Sequence, residues 1–538
     1  MKKIQYLFAT IVLGVFLTSC GDSFLTQYPE GGVLLEDQFA KLPDNLQGSI
    51  LGIYSQLYAY GGEHDAFGLR SIDMYGDIQS GDMAMSKSSY GWFEMFERGY
   101  FYAYARSYLW SFYYDIINLA NIGTLAVEQN AQEIMNTISS GETPTEMIRL
   151  QGYYYGQLLA IRGWAYACLL NYYCNPMDAL PNPMSVEKAI PVYTETEIEK
   201  GTLGMPRATV EAVYERVYED LSTAIEVLDY YEGFNTRSSK LEVNADIARI
   251  MLAYAMLNHL DAEGTIIADG KNAFDIALEQ AKAVIDGGKY PILKKEELLT
   301  TGFADANAKN WLWAQDVTVE TTTALASFFG QVDIHTYSYA AAGDVKGIDS
   351  KLYDDIVATG WDARMNWFNS PDTTSAYAPS RKFYNLSTKD ETKLDKVDRD
   401  WLCDNVFMRV EVAYLIAAEA AWRNGDNSTA ENYLKALCYE RIKDDKTTAD
   451  VDTWISATPT KDAIAYNWRV EMWGEGYGLQ TLRRLTKTVT LGTNHLDRGE
   501  QKVSVEGAEY IMYQCEIPTT ETRYNPELAT TVMTEDND

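Results

Sequence analysis

The sequence predicts a mainly α protein in which paired helices form a repeating scaffold that carries an irregular, loop-rich half. Three observations predict it. Apolar residues recur along most of the chain at helical spacing. The candidate helices come in successive pairs with capping residues at their starts. Between about residues 290 and 400 the periodicity gives way to Thr, Gly, Ala and Tyr-rich segments. At 538 residues and 46% apolar composition, the chain can bury a large core.

The first element is a leader and not part of the fold. Met1-Lys2-Lys3, an apolar run over 4–17 and small residues before Cys20 are the parts of a secretory signal. The run is too short to span a bilayer, which takes about 20 residues. Leu17-Thr18-Ser19-Cys20 resembles the bacterial lipobox, which implies cleavage after residue 19 and a lipid on Cys20. The alternative is an ordinary signal peptide followed by a chance Cys. Residues 20–35 then read as a tether to a single domain that fills the rest of 20–538. No later stretch is long and apolar enough to cross a membrane.

Next come two long buried helices over 106–121 and 151–173, followed by a stretch punctuated by Pro176, Pro181 and Pro183. Thr209 caps a helix to about Leu228, Asn244 caps 245–260, and a helix from Asn272 is stopped by Gly287-Gly288. Trp311-Leu312-Trp313 reads as a short strand with its rings in the core. The last pair, 407–424 and 428–441, fits the tetratricopeptide register, with Ala418 and Ala430 at the point of closest packing. Scaffold is therefore expected mainly within 106–290 and 404–443. A long irregular region such as 290–400 is more often functional than structural.

Charge and motifs narrow the function. The net charge of −32, or −34 once Lys2 and Lys3 leave with the leader, argues against nucleic-acid binding and against electrostatic docking on anionic lipid. Five Cys remain besides Cys20, scattered and without a CxxC pair, so neither a disulfide framework nor zinc is indicated. The four His lie in no metal spacing, and no nucleophile elbow or phosphate-binding loop is present. No cofactor, metal or catalytic residue is expected. Glu471 and Glu475 are read as buried partners of Arg469, Arg483 or Arg484, in preference to a glycosidase-like carboxylate pair.

Six segments, in order, resemble the SusD/RagB-like family of surface nutrient-binding lipoproteins. They are Cys20-Gly-Asp22-Ser-Phe24-Leu25 with Pro29; WSFYYDIINLAN at 110–121; Asp362-Ala-Arg364; RVEVAYLIAAEAAWRNGD at 409–426; RVEMWGEGYGLQTLRR at 469–484; and Ile517-Pro518, Glu521, Asn525-Pro526. The last two fall in a C-terminal signature spanning 466–526. Gln480-Thr481 departs from the pattern where an acidic residue often stands. The resemblance implies about four tetratricopeptide-like hairpins and a variable ligand-binding half. It also implies outer-membrane location facing outward, a TonB-dependent SusC-like transporter as partner, oligosaccharide or polysaccharide as ligand, and no catalysis.

Sugar capture needs aromatic faces flanked by hydrogen-bonding groups, and two segments have that composition. The first, 90–106, offers Trp92, Tyr100, Tyr102, Tyr104 and Arg106; the three tyrosines share one face if the stretch is extended. The second, 335–361, offers Tyr337, Tyr339 and Trp361. The same rings could instead wedge loops onto the scaffold. Other readings of the whole chain are a binder of peptide or another non-sugar nutrient, a surface glycoside hydrolase, or a tetratricopeptide assembly scaffold.

Overall fold

The structure is a computed structural model. It describes residues 41–99, 101–174, 189–234, 240–260, 264–301, 303–384, 402–496, 502–505, 515–525 and 527–528. Cys20, the leader, the tether, Pro176, Pro181, Pro183 and Tyr100 lie outside the described residues.

Twelve described helices have ten or more residues: α1 (Asp44–Gln56), α2 (Leu69–Ser80), α3 (Ala103–Ser140), α4 (Glu146–Tyr173), α5 (Val210–Tyr231), α6 (Ala245–Asn258), α7 (Ala273–Gly287), α8 (Ser350–Thr359), α9 (Glu411–Arg423), α10 (Asn427–Tyr439), α11 (Thr448–Ala457) and α12 (Thr460–Glu471). Four pairs pack within themselves: α1 with α3, α4 with α5, α6 with α7, and α9 with α10. Each pair also touches the next, through α3 on α4, α5 on α6 and α7 on α9. That unbroken succession is the tetratricopeptide-like scaffold, closed at its far end by α12 against α9 and α10.

Local chemistry sets the helix starts. The side chains of Thr145, Thr209, Asn244, Asn272 and Asp426 each accept a backbone N–H in the first turn of α4, α5, α6, α7 and α10, which satisfies donors a helix leaves unpaired. Pair spacing is set by small residues. Gly156 of α4 faces Leu228 of α5 so closely that an added Cβ would stand 2.8 Å from its Cγ. Ala418 and Ala430 are both fully buried between α9 and α10.

Two boundaries differ most from the sequence reading. The first long helix runs from Ala103 to Ser140, well past residue 121, because its polar second half still buries Val127 and Ile134. Residues 407–409, expected to open a helix, belong instead to a strand over 405–409 that pairs with the Trp311 strand. The described strands are β1 (Met83–Met85), β2 (Ile266–Ala268), β3 (Lys271–Asn272), β4 (Trp311–Gln315), β5 (Lys346–Ile348), β6 (Asn405–Arg409), β7 (Thr488–Thr490) and β8 (Lys502–Ser504), in four antiparallel pairs. Pairing of β4 with β6 buries Trp311 and Trp313, each 1% exposed, as expected.

Candidate functional site

The pair β1–β5 positions the site. Met83 stands opposite Ile348 and Met85 opposite Lys346, so the chain leaving β1 and the chain entering β5 run side by side. Asp344 reinforces this by accepting the backbone N–H groups of Ser89 at 2.7 Å and Tyr90 at 3.1 Å. Segments about 250 residues apart in sequence, around Trp92 and Tyr339, are thereby brought into contact.

Behind them, His495 lies between Glu97 and Asp349, with Nδ1 2.7 Å from the first carboxylate and Nε2 3.1 Å from the second. Asp82, next to β1, pairs with Arg469 of α12 at 2.7 Å. Both segments are thus fastened to the C-terminal part of the scaffold.

The rings that meet are Tyr60, His64, Tyr90, Trp92 and Tyr339. His64 stacks on Trp92 with centroids 5.2 Å apart and planes 16° from parallel. Tyr339 meets His64, Trp92 and Tyr90 edge-on at 5.7, 6.5 and 5.0 Å, and Tyr60 meets His64 at 6.1 Å. Edge-to-face and offset contacts of this kind suit the aromatic quadrupole. Tyr90 is 54% exposed and Tyr60 48%, whereas Tyr339 is 7% exposed and anchors the group. Burial raises the Tyr339 hydroxyl above its ordinary pKa, so it stays protonated and able to donate. Tyr337, 58% exposed, stands two residues away.

A second stack adjoins the same loop. Tyr102, Tyr104 and Tyr108 lie ring on ring at 6.2 and 6.3 Å. Tyr104 donates to the Gly61 carbonyl at 2.8 Å and Tyr102 donates to the buried Asp65 carboxylate. Burial pushes the Asp65 pKa up in spite of that bond. The condition for a shared face, an extended stretch, is not met at Tyr104: Tyr102 stands at the N-cap position of α3 and Tyr104 lies in its first turn.

Three further expectations are changed by the packing. Trp361 is in the core, 1% exposed and 5.5 Å from the Trp454 ring, so it offers no face to a ligand. Arg106 forms an ion pair with Glu516. Glu471 and Glu475 are buried partners of cations, but of other cations than expected. Glu471 pairs with Arg364, Arg409 and Arg441, while Glu475 pairs with Arg409 and Lys382. Arg469 goes to Asp82, Arg484 to Glu419, and Arg483 to the Asn171 carbonyl.

Tyr60 and His64 were missed by sequence reasoning. They sit singly in the 57–68 connection between α1 and α2, and only aromatic content could have drawn attention to them. Among the described residues no group of three or more His, Cys, Asp or Glu could hold a metal ion, and no helix is long and apolar enough to cross a membrane.

Two family models match the chain. One, described as starch-binding and associating with the outer membrane, covers residues 49–252, and the SusD family model covers 359–531. No curated protein matches by sequence. Among solved structures, a SusD superfamily protein from Bacteroides vulgatus is 20% identical, with 90% of this chain and 97% of that one covered and a TM-score of 0.66. A SusD-like carbohydrate-binding protein from the same organism is 18% identical, with 90% and 96% covered and a TM-score of 0.64. A structure with a xylogluco-oligosaccharide is 14% identical, with 92% and 100% covered and a TM-score of 0.56. With the two matches embracing both halves of the scaffold and the helical succession shared with these structures, the chain belongs to the SusD/RagB-like family, a carbohydrate-binding family associated with the outer membrane.

Proposed function

We propose that this protein captures an oligosaccharide or polysaccharide at the cell surface on the aromatic platform of Tyr60, His64, Tyr90, Trp92, Tyr337 and Tyr339. It then passes the glycan, unhydrolysed, to a TonB-dependent SusC-like transporter in the outer membrane. A lipid on Cys20 holds it there, facing outward. The observation that carries the reading is the convergence of Trp92 and Tyr339, from segments about 250 residues apart, beside exposed Tyr90. Ring faces bind the C–H surfaces of a pyranose, and the surrounding hydroxyls and imidazole supply the polar contacts that orient it. Tyr102 and Tyr104 extend the platform along the same loop. Arg106 and Trp361 have no part in it.

Affinity electrophoresis through gels containing a panel of polysaccharides tests this. At least one polysaccharide is expected to retard the wild type, with Trp92→Ala and Tyr337→Ala each weakening retention about tenfold or more, equivalent to about 1.4 kcal/mol. Unaltered mobility of the wild type in every gel would overturn glycan capture. Release of shorter oligosaccharides on prolonged incubation would overturn the non-catalytic role.

A further inference from the structure

We infer that His495 is a positioning residue of the platform: as an imidazolium it ties the Trp92 segment to the Tyr339 segment, and sugar capture depends on its charge. This deepens the platform reading above and rests on it. The carboxylates on either side of the ring carry the inference. Glu97 closes the short helix Glu94–Glu97 that follows Trp92, and Asp349 follows β5, to which the Tyr339 turn leads. The two ring nitrogens of His495 meet both, Nδ1 on Glu97 and Nε2 on Asp349. All four carboxylate oxygens also accept backbone N–H groups. Glu97 Oε1 takes Leu496 at 3.1 Å and Oε2 takes Met85 at 3.3 Å, while Asp349 Oδ1 takes Leu352 at 2.8 Å and Oδ2 takes Gly492 at 2.5 Å. Such bonding favours the ionised form of each carboxyl. An ionised carboxylate can only accept, so both ring nitrogens donate, which requires the doubly protonated ring.

Charge balance points the same way. The side chains of Glu97, Asp349 and His495 are all buried. The neighbouring charges are Asp82, whose carbonyl accepts the Asp349 N–H at 2.9 Å, and Arg469 of α12, which is paired with Asp82. Asp355 of α8 is paired with Lys351, and Lys346 of β5 turns to the Asp344 carbonyl at 3.5 Å. Residues 497–501, which follow, lie outside the described residues. A neutral ring would leave Glu97 and Asp349 as buried carboxylates without a counter-charge between them, and an uncompensated buried charge is strongly unfavourable. The ladder of β1 with β5 is only three residues long, so a clamp beside it decides how firmly the two segments stay together.

Nitrogen-15 NMR of the histidine side chains in the ligand-free protein tests the charge, with His495→Gln identifying the resonance among the four histidines. His495 is expected to keep both ring protons at pH 7.5, where an unperturbed histidine is about 90% neutral. A neutral ring at that pH would overturn the proposal. A proton held by partners in the fold supports it fully below the ordinary histidine value of about 6.5. That support is lost as pH rises through the value in the folded protein. Glu97→Gln takes the place of His495→Gln in each comparison should the latter not fold.

Amide hydrogen exchange and polysaccharide retention test the positioning. In His495→Gln, peptides across 83–97 and 339–349 are expected to exchange at least tenfold faster than in the wild type, with those of α5 to α7 unchanged. For whichever polysaccharide retards the wild type, retention should weaken at least fivefold in His495→Gln at pH 7. The difference should shrink over the pH range in which NMR shows the proton leave. Lys346, pushed down to about 8 by burial, titrates in both proteins, so the comparison isolates His495. A difference that stays constant while the proton leaves overturns the dependence on charge. Unchanged exchange and full retention in His495→Gln, with retention lost in Trp92→Ala, overturn the role of His495 and leave the platform standing. A wild type retarded by no polysaccharide overturns the platform and, with it, the role in capture, whatever the exchange shows.

Discussion

At the scale of single residues, burial separates aromatic side chains that serve the fold from those open to a ligand. Trp361 and Tyr337 lie in the same 335–361 stretch of sequence, yet one is 1% exposed and the other 58%. Trp361→Ala should cost about 3–5 kcal/mol in urea unfolding, as expected for deleting a large core ring. Tyr337→Ala should change stability by less than about 0.5 kcal/mol. Similar midpoints for the two variants would contradict this division.

Charged residues of the family signatures, joined by Arg441, separate in the same way. Asp362, Arg364, Arg409, Glu411, Arg441 and Glu471 are all fully buried in one ionic cluster. Burial alone would raise the Glu471 pKa, but the guanidinium groups of Arg441, Arg409 and Arg364 hold it well below the ordinary 4.5. A carboxylate depressed in the fold stabilises it fully above the unfolded value, and that contribution is lost as pH falls toward the folded value. Glu471→Gln should thus be less stable by about 3–5 kcal/mol at neutral pH. The gap to wild type should close as pH is lowered beneath about 4.5. A gap that stays constant between pH 7 and pH 3, measured by urea midpoints, would show that the charge of Glu471 is not what stabilises the cluster.

At the scale of elements, the helices were legible because their signals are local. Thr209, Asn244 and Asn272 each cap the helix that the sequence assigns to them. The register of the 411–439 hairpin follows from small residues at fixed offsets. The start of that hairpin was misread because 405–409 is apolar enough for either state, and only its distant partner β4 makes it a strand.

The site was half legible for the same reason. Its aromatic segments stand out by composition, but what joins them is a ladder of three residues on each side, β1 with β5, and nothing in either sequence names the other. His64 and Tyr60 depend on a loop whose shape is set by Gly68. That residue has φ +81°, and a Cβ there would stand 2.2 Å from the Leu57 carbonyl oxygen. Gly68 also donates its N–H to the Tyr108 hydroxyl at 2.8 Å. Gly68→Ala should therefore destabilise the protein by about 2 kcal/mol or more, combining backbone strain with the clash. It should also weaken polysaccharide retention in protein that remains folded, because the loop must shift. Wild-type retention together with a wild-type urea midpoint would mean the turn is not under this constraint.

At the scale of the whole molecule, the proposed anchoring and the proposed capture are expected to be separable. The described platform is built from residues 60–108 and 337–339, fastened by Arg469 and His495 to the C-terminal part of the scaffold. The proposed lipid on Cys20 would hold the acidic body at the surface by acyl burial, where each methylene contributes about 0.8 kcal/mol. Cys20→Ala should leave the urea midpoint and polysaccharide retention of the purified protein unchanged, while abolishing its labelling by an impermeant reagent on intact cells. Unchanged surface labelling would show that the protein is held by something other than Cys20. Lost retention in the purified variant would show that the leader and tether contribute to the site after all.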